Sequence, residues 1–343
     1  CQKCLIARYH LESRSGMNGS TVSRASTVVN GPPSCRSVRP MPAGAVVTVL
    51  FAPGRPASAA LPLLRSVTMS TTLATAEVGH FFVPGAAGNR IHGLDFGGDG
   101  PALVCLHGVT GNAWNWYSVA LGLRSHRRVV ALDFRGYGES QWSPDHDYTT
   151  ADHVADLVGA VDAVSGGSPV DLAGSSWGAL VAIQYADEHP GNVGRLAVVD
   201  VEPSFEQGET DLFPRPRDHA DHDEVRAAVA AAYPNAPADM VDIVAATCYG
   251  PVEGGRLAPK HDPYFFERWP FRSDDHWDRL PRIQASTLHV HASGSFVRGE
   301  VMAEMDRLTP DSRLVEIGDS THVVPVDNPS ALVDSLVEFL AGG

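Results

Sequence analysis

The sequence predicts an α/β fold, a mostly parallel, doubly wound sheet of the eight-stranded type with a helical cap insertion. Three observations carry this. Short apolar runs such as Ala102–Leu106 and Arg128–Leu132 have the composition of strands buried on both faces. They alternate with stretches of helical apolar spacing, as at Val154, Leu157, Val158 and Val161. The alternation stops between Asp200 and about Ile283 and then resumes, which reads as an insertion between two strands of one sheet.

In chain order, residues 1–76 stand apart. They carry Pro-, Gly-, Ser- and Arg-rich stretches without a sustained period, and the expectation is a disordered or non-native extension, upstream of a start near Met69. Cys1-Gln2-Lys3-Cys4 offers half a metal site with only Cys35 nearby, and no metal is expected. The domain proper spans 77–343. Strands are predicted at Gly79–Pro84, Asn89–Phe96, Ala102–Leu106, Arg128–Leu132, Val170–Ala173, Leu196–Val201, Ser286–Val290 and Arg313–Ile317. Helices are predicted around Trp114–Leu121, over Thr150–Val164, from the turn after Ala173 to His189-Pro190, near Glu224–Ala232, and over Glu300–Leu308 and Ala331–Leu340. The cap covers about 203–283 and would lie over the C-terminal ends of the strands, where open α/β sheets bind ligands.

Composition excludes several classes. A formal net charge of −14 disfavours nucleic acid and anionic membrane as partners, both of which select basic faces. No run of 18 apolar residues is present, so no membrane span is expected. Five scattered cysteines do not make a disulfide framework, and the expected location is the cytoplasm.

The chemistry centres on Gly174-Ser175-Ser176-Trp177-Gly178, between an apolar strand and an Ala-rich helix. A serine on a tight strand-to-helix turn is pushed out of the sheet, and small flanking residues let the turn close. The central residue is Ser176, because Ser175 would need glycine where Ala173 stands. With 33 glycines in 343 residues the pattern arises by chance roughly 0.25 times, so its surroundings must carry the argument. A serine nucleophile needs a base, and that base needs an orienting carboxylate. His322 sits in the loop after the last strand, where the chain order of such a site puts the base.

Four ordered motifs make residues 77–341 resemble the α/β-hydrolase superfamily, specifically a serine esterase- or lipase-like member. They are His107-Gly108, Asp133-Phe134-Arg135-Gly136-Tyr137-Gly138-Glu139-Ser140, Gly174–Gly178 and His322. The resemblance implies that the backbone N–H groups of Val109 and Trp177 form an oxyanion hole, and that His107 is structural. Serine rather than aspartate at the elbow speaks against epoxide hydrolase or dehalogenase chemistry. The family's usual acid position, the loop after Val290, reads His291-Ala292-Ser293-Gly294-Ser295-Phe296-Val297 and holds no carboxylate. The alternative position, at the end of the strand after the elbow helix, offers Asp200, with Glu202 two residues on as the alternative acid. Residues two apart on a strand share a face, so spacing does not separate them.

The expected activity is hydrolysis of a small-molecule carboxylic ester or lactone through an acyl-enzyme, with no cofactor. C–C bond hydrolysis or cofactor-free perhydrolysis on the same residues, and non-catalytic binding of a small molecule, are the alternatives. Trp114, Trp116 and the cap aromatics 264–271 are candidates for lining the substrate pocket or for packing cap to core. Asp218–Glu224 reads as a solvated acidic face rather than a metal site.

Overall fold

A computed structural model describes residues 8–15, 21–28, 78–109, 111–204 and 216–342. The chain divides into two compact units, Cys1–Pro62 and Leu63–Gly343. In the first, β1 (Arg8–Ser15) pairs antiparallel with β2 (Thr21–Val28), Arg8 opposite Val28 and Ser15 opposite Thr21. Both strands lie within residues 1–76, the stretch the sequence sets apart from the domain proper. The cysteines Cys1, Cys4 and Cys35 and Met69 lie outside the described residues.

The second unit is built on one eight-stranded sheet. Its strands are β3 (Gly79–Pro84), β4 (Arg90–Gly97), β5 (Ala102–Leu106), β6 (Arg128–Leu132), β7 (Val170–Ser175), β8 (Val193–Val199), β11 (Ser286–Ala292) and β12 (Ser312–Ile317). Their order across the sheet is β12-β11-β8-β7-β5-β6-β4-β3. β3 and β4 pair antiparallel, as do β4 and β6, and every other pairing is parallel. After β5 the chain adds β6 on one side and then crosses to add β7 on the other. The C-terminal ends of β5 and β7 therefore flank a topological switch point, where a crevice opens.

Alternation along each strand sorts the core onto two faces. Leu103 and Cys105 of β5 face α1 (Tyr117–Leu123) and α8 (Pro329–Ala341) through Val119, Leu123, Leu332 and Leu336. Val104 and Leu106 face α2 (Thr150–Ser165), α3 (Trp177–Glu188) and α6 (Gly299–Leu308) through Leu157, Leu180 and Met302. Continuous apolar strands are thus buried on both sides, as their composition requires.

Between β8 and β11 the chain forms α4 (His222–Ala232), α5 (Ala238–Thr247) and a short hairpin of β9 (Tyr249–Pro251) and β10 (Leu257–Pro259). A one-turn helix α7 (Val324–Asp327) precedes α8. Among the described residues, no helix is long and apolar enough to cross a membrane.

The Asp133–Ser140 turn is a polar lock on the end of β6. Asp133 accepts hydrogen bonds from Ala113 N (2.7 Å) and Glu139 N (2.9 Å), and its Oδ2 meets His92 Nδ1 at 2.7 Å. Burial pushes the Asp133 carboxyl up, but the His92 contact outweighs it and holds the group below the ordinary carboxylate value. Arg135 forks onto Asp156 at 2.6 and 2.7 Å, tying the turn to α2.

One strand differs from its prediction in a way that matters for the site. β8 ends at Val199, not Val201, because Asp200 adopts φ 50° and turns out of the extended path.

Candidate active site

Ser176 stands at the switch point, between β7 and α3. Its backbone is at φ 55°, ψ −124°, a conformation that costs an ordinary residue on the order of 1–3 kcal/mol. Both of its peptide groups are held: Ser176 N donates to Val199 O (2.9 Å), and Ser176 O accepts from Ala179 N (2.8 Å). The flanking glycines are required by contact. A Cβ on Gly174 would sit 2.2 Å from Gly178 O, and one on Gly178 would sit 2.3 Å from Leu106 O. The helix thereby comes close beneath the end of β5, and the Trp177 N–H is among the first, unpaired donors of a helix N-terminus. The Trp177 indole N–H donates to Thr150 Oγ1 (2.8 Å) and fixes the start of α3 against α2.

His322 enters from the loop after β12. Thr321 N donates to Asp327 Oδ2 (2.7 Å), and Asp327 also accepts from Asn235 N (2.9 Å), so the loop is anchored beside the histidine. His322 Nε2 lies 2.8 Å from Ser176 Oγ, and His322 Nδ1 lies 2.7 Å from Asp200 Oδ2. The exposed Phe296 ring packs on the imidazole at a centroid distance of 4.3 Å.

Asp200 is fully buried, and its carboxylate has two further donors. Ala292 N reaches Oδ1 at 2.8 Å, and Ser295 Oγ reaches Oδ2 at 2.5 Å. Ala292 ends β11 and Ser295 lies in the loop that follows, so both come from the stretch after Val290 that lacks an acid of its own. Glu202 is elsewhere: its carboxylate takes Arg298 Nε at 3.1 Å and Arg298 N at 3.4 Å. The shared-face argument that kept Glu202 open fails because the two residues are not on one strand. Asp200 has already left the extended conformation, and its neighbours diverge.

His107 is neutral by its contacts. Its Nε2 accepts from Phe134 N (3.1 Å), so the proton sits on Nδ1, which donates to Gly108 O at 2.7 Å. Burial lowers its pKa in the same direction. Gly108 O also accepts from Gly111 N (3.1 Å). With that carbonyl held, the planar trans peptide directs the Val109 N–H the opposite way. A Cβ on Gly108 would lie 3.0 Å from Ser176 Cβ, so this backbone passes directly over the serine.

A cavity of about 490 Å³ opens on Ser176 and His322. Its apolar walls include Val229, Val244, Phe296 and Val323. Trp114 and Trp116 do not line it. Both are buried in the core, where Trp114 meets Phe96 and Tyr117 edge-on or tilted, and the expectation that they contact substrate is corrected. Of the cap aromatics, Phe265 and Phe271 are buried against Trp177 and pack cap to core rather than facing the cavity. The acidic run has structural duties: Asp221 Oδ1 accepts from Glu224 N at the start of α4, and Asp218 pairs with Arg256. Among the described residues no cluster of three or more metal-ligating side chains is present.

Sequence reasoning missed Ser295 and Ala292 as donors to Asp200, because serine in a Gly-Ser loop carries no distinguishing pattern. It also missed Asn115 and His219, which line the cavity. Asn115 stands between Trp114 and Trp116, and His219 lies inside the acidic run Asp218–Glu224 that reads as a solvated face.

A family model for the alpha/beta hydrolase fold matches residues 101–232. The chain is 28% identical over 255 residues to 2-(acetamidomethylene)succinate hydrolase of Mesorhizobium japonicum, covering 71% of this chain and 89% of that one. It is 29% identical over 262 residues to an esterase of Mycobacterium tuberculosis (71% and 84% covered). To N-formylmaleamate deformylase of Pseudomonas putida it is 29% identical over 265 residues (74% and 94% covered). Among solved structures, E-2-(acetamidomethylene)succinate hydrolase superposes with a TM-score of 0.67 at 24% identity, over 77% of this chain and 99% of that one. The thioesterase domain from the curacin biosynthetic pathway gives 0.67 at 22%, over 76% and 99%. The structural likenesses establish the fold.

Proposed function

Because this chain belongs to the α/β-hydrolase superfamily, we propose that it is a serine hydrolase that cleaves carboxylic esters or lactones of small molecules. One observation carries the reading: a hydrogen-bonded line runs from Ser176 Oγ through His322 to Asp200, with links of 2.8 and 2.7 Å. A hydroxyl in contact with an imidazole that is held on its far side by a buried carboxylate is an activated nucleophile.

Ser176 Oγ attacks the carbonyl carbon as His322 Nε2 takes its proton. Asp200 keeps the other ring proton on Nδ1 and stabilises the imidazolium that forms. The N–H groups of Val109 and Trp177 donate to the oxyanion of the tetrahedral intermediate. Collapse expels the alcohol, which leaves with the proton from His322. Water, deprotonated by His322, then attacks the acyl-enzyme and releases the acid and free Ser176. Every proton moves on the protein's own groups, and the chemistry calls for no cofactor. The insertion at about 203–283 serves as the cap that shelters the cavity.

A fluorophosphonate probe tests the assignment. It should label the folded protein covalently, and Ser176→Ala should abolish the label. A folded wild-type chain that takes up no probe would overturn the proposal. Retained labelling in Ser176→Ala would move the nucleophile elsewhere.

A further inference from the structure

The cavity wall carries two buried polar side chains, His219 and Asn115, whose hydrogen-bonding capacity is only partly used. His219 is 3% exposed, and its Nδ1 is buried with no hydrogen-bond partner. Its backbone is fixed by a two-bond bridge to Leu257 (2.7 and 2.9 Å), and its ring meets Tyr249 edge-on at 5.5 Å. Asn115 is also 3% exposed. Its Oδ1 accepts from Asn112 N (3.4 Å) and faces Cys248 Sγ (3.5 Å), which orients its NH₂ away from both. That NH₂ sits over Gly111, where a Cβ would approach Nδ2 to 2.4 Å. Cys248 and Tyr249 are consecutive, so Asn115 and His219 each touch one of two neighbouring residues of the same cavity wall. Buried polar groups left unpaired are costly and rare, and each calls for an explanation such as a catalytic role or a bound water or ion.

The chemistry of the pair is specific. Glu224 Oε1 lies 3.7 Å from His219 Nδ1, too far for a hydrogen bond but near enough to favour the ring proton on that nitrogen. The Glu224 carboxylate is itself fixed, accepting from Ala220 N at 2.6 Å. With its ring proton on Nδ1, His219 offers an acceptor at Nε2, while Asn115 offers amide N–H donors. Among the described lining residues there is no lysine or arginine to receive a carboxylate. We propose that His219 and Asn115 form a specificity subsite for an uncharged group that both donates and accepts a hydrogen bond, an amide or a hydroxyl, carried on the acyl chain of the substrate. This rests on Ser176 being the nucleophile, and it narrows the substrate class from esters in general to polar-acyl esters.

Three p-nitrophenyl esters of matched length make the test: hexanoate, N-acetyl-β-alaninate and hydrogen glutarate. The wild type should favour the N-acetyl-β-alaninate over the hexanoate by about tenfold or more in kcat/KM, the size expected for one or two buried hydrogen bonds. His219→Phe and, separately, Asn115→Leu should collapse that ratio toward one, with thermal melts confirming that each variant is folded. Because the readout is a ratio of two substrates on one protein, loss of overall rate does not mimic it. A wild-type ratio at or below one, a ratio unchanged in folded His219→Phe, or a preference for the glutarate would each overturn the subsite. Hexanoate turnover that depends on Ser176 but lacks the amide preference removes this inference alone. Absence of turnover of all three esters by the folded chain removes the serine reading and the subsite together.

Discussion

Replacing Asp200 by asparagine removes one negative charge from a fully buried position while keeping size and shape. The carboxylate touches His322 Nδ1 at 2.7 Å, so the charge centres of acid and imidazolium are about 4 Å apart. At an effective dielectric near 20, that pair is worth about 4 kcal/mol, on the order of 10³ in rate. The loss should appear in kcat, because the imidazolium exists only once the serine has given up its proton. The asparagine amide adds a geometric penalty. Three donors converge on the Asp200 carboxylate, from His322, Ala292 and Ser295, and an NH₂ group must face at least one of them. Glu202→Gln is the matched control. It weakens only a contact to Arg298, which is 58% exposed, and an ion pair of that kind contributes about 1 kcal/mol or less to stability. Hydrolysis of a p-nitrophenyl ester, followed at several substrate concentrations, separates kcat from KM for both variants. The reasoning is refuted if Asp200→Asn stays within about tenfold of wild type while folded, or if Glu202→Gln loses as much.

Other outcomes follow from the same contacts. Ser295→Ala deletes a donor to the Asp200 carboxylate and should lower kcat roughly tenfold with little change in KM, while Ser295→Thr should retain most of the rate; an unchanged kcat in the alanine variant removes Ser295 from the site. Gly178→Ala drives a Cβ to 2.3 Å from Leu106 O and should cost about 3 kcal/mol or more, lowering the melting temperature by roughly 10 °C, whereas Gly191→Ala, with open space around it, should melt like the wild type. Burial pushes the His289 imidazole down to about 4, so the unfolded chain binds the extra proton first and stability falls as pH drops from 6.5 toward 4. The full loss from this group is about 3 kcal/mol, and urea melts at pH 7 and pH 4 should differ by that much less in His289→Leu. An undiminished difference would mean that another group, such as His153, which burial also depresses, carries the effect.

Much of this protein is decided locally, and the sequence alone determines that part. A strand buried on both faces must be apolar throughout, so runs such as Ala102–Leu106 announce themselves, and their alternation with helices dictates a parallel sheet. Gly174 and Gly178 are legible because a tight strand-to-helix turn excludes a Cβ at both positions. His322 was legible from chain order, since it follows the last strand. The tertiary structure alone decided the partner of that histidine. Asp200 and Glu202 differ by two residues and not at all in type of charge. What separates them is the φ of 50° at Asp200, which ends β8 and turns the aspartate toward His322 while Glu202 goes to Arg298. The carboxylate is held there by donors 92 and 95 residues away, Ala292 and Ser295, and no local pattern encodes a contact at that separation. The cavity wall is the same kind of case. Trp114 and Trp116 looked like pocket residues by composition but were claimed by the core, while Asn115 between them and His219 of the insertion line the cavity. Side-chain chemistry is written residue by residue, but which of two similar groups meets the substrate depends on how distant segments pack, and only the folded chain settles it.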